Sequence, residues 1–94
     1  MGLTEHERSA LVLAAQTHAS TWLNEATGPE RTALAMGALN GLNRPRLPAT
    51  AWRTLRGTCY SLRLELEDGV PVDSDVTDTF TNAWFEAAEK RIFP

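Results

Sequence analysis

SLRLELEDGV, residues 61–70, decides between two folds. From Ser61 to Glu67 polar and apolar residues alternate strictly, which is the period of a half-buried strand, and Asp68-Gly69 is a strong hairpin turn signal. The same leucines also continue a helical stripe. Trp52, Leu55, Cys59, Leu62 and Leu66 fall three and four residues apart, within about 80° of one another on a helix. Leu, Arg and Glu are good helix formers, whereas the return arm VPVDSDV, residues 70–76, holds a proline and few apolar residues. The expectation is therefore a helix running through Leu66 and an all-α fold, a small four-helix bundle or a compact orthogonal arrangement, in one domain over residues 1–94. The alternative is an α+β fold, with helix three ending at Cys59 and a hairpin at residues 60–76.

Working outward, helix three is expected to begin around Pro48 to Thr50. The preceding NRPRLP, residues 43–48, reads as an extended linker, because its two prolines exclude regular helix and bias their predecessors toward extended backbone. Helix two starts at Pro29, whose missing N–H belongs in a first turn, and carries Leu34, Ala35, Ala38, Leu39 and Leu42 as its apolar positions. Ala33, Gly37 and Gly41 form a second stripe four residues apart, and repeated glycine there suggests a close backbone approach. Helix one opens on a capping box, Thr4-Glu5-His6-Glu7, and repeats apolar residues at Leu11, Ala15, His18/Ala19, Trp22 and Ala26 until Gly28-Pro29 stops it. Helix four opens in VDSDVTDTF, residues 72–80. Asp73, Asp75 and Asp78 suit its positive N-terminal dipole, Lys90 and Arg91 suit its C-terminus, and Val76, Phe80, Trp84 and Ala87 form its buried face, with Ala83 and Ala88 beside it.

The 94 residues are 43% hydrophobic and 22% charged, with three tryptophans and three phenylalanines, which suits a single globular domain rather than a disordered chain. The lone Cys59 forms no internal disulfide and rules out a multi-cysteine zinc site. The N-terminus has acids where a signal peptide needs bases, His6 stands where a myristoylation pattern needs Ser or Thr, and the longest apolar run is Ala10 to Ala15. A cytoplasmic protein without a membrane partner is the expectation.

The net charge of −3 hides a segregation. Residues 1–30 carry net −3, residues 31–63 carry +6 from six arginines with no acid, and residues 64–94 carry −6. On the helix-three wheel Arg53, Arg56, Tyr60, Arg63 and Leu64 cluster away from the Trp52–Leu66 stripe, with Arg44 and Arg46 in the linker before them. Arginine pairs bidentately with carboxylates, and an Arg, Tyr and Leu surface has the composition of interface hot spots. The plain reading is that these arginines meet the chain's own acids as surface ion pairs worth about 0–1 kcal/mol each. The functional reading makes Arg44, Arg46, Arg53, Arg56, Tyr60, Arg63 and Leu64 a contact for a protein partner with an acidic surface. Nucleic acid is less favoured. Two acidic thirds flank the basic one, and the eight-residue connection GLNRPRLP is too long for a helix-turn-helix.

Signals for catalysis are weak. His6 and His18 stand twelve residues apart and do not share a helical face, so His18 reads as a packing residue and Cys59 as a small hydrophobe. DSDVTD, residues 73–78, lacks the glycine and the bidentate glutamate of a calcium loop, and no phosphate-binding glycine loop or nucleophile elbow occurs. No catalytic residue, metal or cofactor is expected. The expected function is a non-enzymatic protein-binding module acting by occlusion or tethering. An inhibitor of a larger complex, such as a mobile-element-encoded inhibitor of bacterial defence, fits that size. The alternatives are a nucleic-acid-associated regulator using the same arginines on phosphates, and a helical homodimer built on the Ala33/Gly37/Gly41 stripe.

Overall fold

Four helices and one short hairpin make up the described residues, 2–40 and 47–93, of a computed structural model. The order is α1 (Glu5–Glu25), α2 (Gly28–Asn40), α3 (Ala49–Leu62), β1 (Leu66–Glu67), β2 (Val70–Pro71) and α4 (Ser74–Ile92). The fold is all-α in substance. Gly41, Leu42, Asn43, Arg44, Pro45 and Arg46 lie outside the described residues, as do the side chains of Ala38 and Leu39.

Local chemistry sets the helix ends. Thr4 caps α1 as the sequence suggests, its backbone N–H donating to Glu7 and its hydroxyl accepting from the Glu7 N–H at 3.1 Å. The α1–α2 junction differs from the expected stop at Gly28-Pro29. Helix α1 ends at Glu25, and a second box, Thr27 with Glu30, starts α2 so that Gly28 and Pro29 fall within its first turn. Asp73 caps α4 by accepting from the Asp75 N–H at 2.9 Å.

The expected helix through Leu66 is corrected: α3 ends at Leu62. Arg63 takes the left-handed conformation (φ 58, ψ 36), its N–H reaching Tyr60 O while Leu64 N–H bonds to Cys59 O at 2.9 Å. This is a Schellman motif with arginine in the position glycine usually fills. Asp68 (φ 52) and Gly69 (φ 80) then both sit at positive φ, as a tight primed turn requires, and pair Leu66 with Pro71 and Glu67 with Val70 antiparallel. Turn chemistry thus overrides the helix propensity of the leucines.

Helix α1 packs chiefly on α4 and then on α3, α2 rests on α4, and the hairpin leans on α3 and α4. Leu11, Ala15, Ala19 and Leu23 of α1 meet Val76, Phe80, Ala83, Trp84, Phe85 and Ala88 of α4 and Ala51, Leu55 and Cys59 of α3 in one core. Leu23 and Phe85 join the stripes read from sequence, while Trp22, Trp52, Leu62, Leu66 and Ala87 are half-buried at its edge. Trp84 is fully buried, edge-on to Trp22 at 5.6 Å and to Phe85 at 5.1 Å, geometries worth about 0.5–1.5 kcal/mol each beyond their area. Among the described side chains of α2 only Leu34 is buried.

Candidate functional site

The four-residue spacing of Ala51, Leu55 and Cys59 puts them on one buried face of α3 and turns Arg53 and Tyr60 outward. Tyr60 is 72% exposed, Arg53 is exposed, and Arg56 is half-buried. The Arg56 stem lies over the hairpin turn, its Cδ 3.6 Å from the point where a Cβ on Gly69 would sit. That contact aims the guanidinium while its methylenes are covered.

None of these arginines is claimed by the rest of the described fold. Among the described residues no carboxylate oxygen lies within 4.0 Å of the Arg53, Arg56 or Arg63 guanidinium, and none of the three donates a side-chain hydrogen bond. The one ion pair among the described residues is Lys90–Glu86 at 3.4 Å, a solvent-exposed pair within α4. The acids of α4 stand elsewhere: Asp75, Asp78 and Glu86 line the α1–α4 groove beside Arg8.

Arg63 and Leu64 differ from the other members of the sequence-derived set. Both lie beyond the end of α3, so the helical wheel does not place them. Arg63 is exposed over a depression shared with Glu7, Glu65 and Asp73, where its charge is partly offset at longer range. Leu64 is half-buried against the core. Arg44 and Arg46 lie outside the described residues. The structure therefore brings Arg53, Arg56 and Tyr60 together on one open face.

A second polar cluster joins three helices. His18 of α1 accepts the indole N–H of Trp84 on Nδ1 at 3.0 Å, and its Nε2 lies 3.0 Å from Thr50 Oγ1. An indole nitrogen only donates, so Nδ1 holds a lone pair and Nε2 carries the proton toward Thr50. Burial lowers the His18 pKa and supports this neutral form. In that tautomer the ring has no lone pair to draw a proton from the Thr50 hydroxyl, so the arrangement pins α3 to α1 and α4. Cys59 is fully buried, and desolvation pushes its thiol pKa up, which suppresses the reactive thiolate. No group of three or more His, Cys, Asp or Glu able to hold a metal occurs among the described residues.

Sequence reading missed the His18–Trp84 bond. Nothing in the spacing of residues 66 apart announces it, although a histidine on an apolar face implies some partner. On α2, Ala33 is exposed and Gly37 half-buried, with Gly41 outside the described residues. No described helix is long and apolar enough to cross a membrane. The chain matches no family model, no curated protein and no solved structure.

Proposed function

We propose that the protein is a non-enzymatic protein-binding module that docks an acidic surface of a partner through Arg53, Arg56 and Tyr60, and acts by occluding or tethering it. The observation that carries this reading is that no described carboxylate oxygen lies within 4.0 Å of the Arg53 or Arg56 guanidinium, beside a tyrosine that is 72% exposed. Guanidinium groups spared from internal pairing keep their bidentate donors for an external carboxylate, and the tyrosine adds rigid apolar area at low entropic cost. Arg63, and Arg44 and Arg46 in the preceding linker, extend the same basic segment. Inhibition of a larger complex, including a mobile-element-encoded inhibitor acting on bacterial defence, is the physiological form this mechanism suits.

Affinity capture from the source cell with wild type and an Arg53→Glu/Arg56→Glu variant tests the reading. Selective loss of one partner from the variant supports it, and equal recovery from both overturns it. A parallel measurement of random duplex and single-stranded DNA binding at about 50 mM salt, where phosphate-driven binding is strong, decides against the protein reading if DNA is retained through the same arginines.

A further inference from the structure

Beside the basic face, α1 and α3 leave an open trough of about 560 Å³ between them. Ala10, Leu13, Ala14 and Thr17 line it from α1, Thr54 and Thr58 from α3, and no charged side chain enters it. Leu13 stands 64% exposed on its far rim. Four of the hydroxyls along the walls already donate: Thr21, Thr54, Thr58 and Ser61 each bond the carbonyl four residues earlier, at 2.9–3.2 Å. The walls accordingly offer methyl and methylene surface and few free donors. An extended strand laid there would strand its own backbone N–H and C=O groups, whereas a helix arrives with its backbone already bonded.

Gly57 links trough and face. On the α3 wheel it lies between the Thr54/Thr58/Ser61 wall and the Arg53/Tyr60 side, so it borders the trough on the edge that faces Arg53. A Cβ at Gly57 would meet nothing within 4 Å. Glycine weakens a helix interior, and the described fold gives no steric reason for one at this exposed position. An incoming backbone gains the close approach that its missing side chain permits.

We infer that the trough and the arginine face form one docking surface for an amphipathic α-helix of the partner. Its apolar stripe lies on Leu13, Ala14 and the threonine methyls, and carboxylates along the flank that faces the basic side of α3 meet Arg53. The inference rests on the proposed protein-binding role and specifies the partner element.

The test uses the full chain labelled with ¹⁵N and two synthetic amphipathic helical peptides of about 18 residues, long enough to hold a helix. Both carry Leu and Ala at i, i+3, i+4 and i+7, one with Glu along a flank and the other with Lys. At about 50 mM salt the Glu peptide is expected to shift the backbone amides of Ala10, Ala14, Thr54, Gly57 and Thr58, and to bind at least about tenfold tighter than the Lys peptide. Gly57→Leu should raise the melting midpoint by a few degrees, about 4–8 °C for 1 kcal/mol in a domain of this size, and yet weaken the Glu peptide about tenfold or more. Leu13→Glu, on an exposed rim, should keep the fold and weaken it similarly.

Shifts confined to the arginine face, or unchanged binding by the Gly57 and Leu13 variants, overturn the trough and leave the arginine reading standing. Unchanged preference for the Glu peptide in Arg53→Glu/Arg56→Glu overturns the arginine reading itself. Equal binding of both peptides overturns the assigned charge, and no shift from either at about 1 mM overturns the inference.

Discussion

Arg8, Arg31 and Arg91 behave unlike the arginines of α3. Arg91 donates from Nη1 to the Ser20 carbonyl at 2.9 Å and its hydroxyl at 3.0 Å, and from Nη2 to Asn24 at 2.8 Å, clasping the end of α4 to α1. Arg8 donates to Thr79 at 3.3 Å, and Arg31 to the Leu23 carbonyl across the α1–α2 junction. Arg53 and Arg56 have no such role in the described fold. The charged heads of the first set hold elements in place, while those of the second are held out. The difference teaches that an arginine-rich segment gains its meaning from what surrounding elements leave unclaimed, not from its count of charges.

That contrast is first sharpened where the fold is most dependent on one polar contact. His18→Ala leaves the buried Trp84 indole N–H unpaired and should cost about 1–3 kcal/mol in urea unfolding. Protonation breaks the same bond, since it puts a proton on the nitrogen that accepts it. Burial lowers the folded pKa of His18 below its ordinary value, so its contribution is fully present above the unfolded value near 6.5 and is lost as pH falls through the folded pKa. Urea midpoints taken from pH 7.5 down to 5 should therefore fall more steeply in wild type than in His18→Ala; parallel slopes break the assignment of that bond.

Arg91→Ala should cost about 1 kcal/mol by the same measurement, because three hydrogen bonds from one charged group tie α4 to α1 on an exposed seam. Arg63→Gly should stabilise by about 0.5–1 kcal/mol, since glycine relieves the left-handed backbone at φ 58. It removes a basic charge at the same time, so a variant that is more stable but binds the partner less would separate fold from face. Arg53→Glu, at an exposed position, should move stability by less than about 0.5 kcal/mol. A loss above about 1 kcal/mol would erase the comparison, for it would make Arg53 part of the scaffold.

Much of the scaffold was legible in the sequence because helix periodicity and capping are local. Leu11, Ala15 and Ala19, Leu55 and Cys59, and Phe80 and Trp84 all fall on the stripes their spacing implies. Thr27-x-x-Glu30 spells the same box as Thr4-x-x-Glu7 and was readable, but the adjacent Gly28-Pro29 masked it as a stop. The end of α3 was harder. Leu62 and Leu66 satisfy both helical and strand periods, and the arbitration came from a non-glycine residue adopting a positive φ, which composition disfavours. The site was legible only as chemistry. Arginine segregation is visible in the letters, but whether Arg53 meets an acid depends on where α4 and the hairpin lie. The α1–α3 trough arises from two segments some forty residues apart, and no spacing rule within either one foretells it.

Cys59 gives the molecule a chemical stopwatch. It is the chain's single thiol and has no accessible surface, wedged on the inner side of the helix that bears Arg53 and Tyr60. A thiol reagent reaches it only when that helix lifts from its bed, so the labelling rate counts those departures. An occupant that rests on the outside of α3 will slow the count, and one that peels the helix away will quicken it, which makes the mode of engagement readable by mass without altering a single residue.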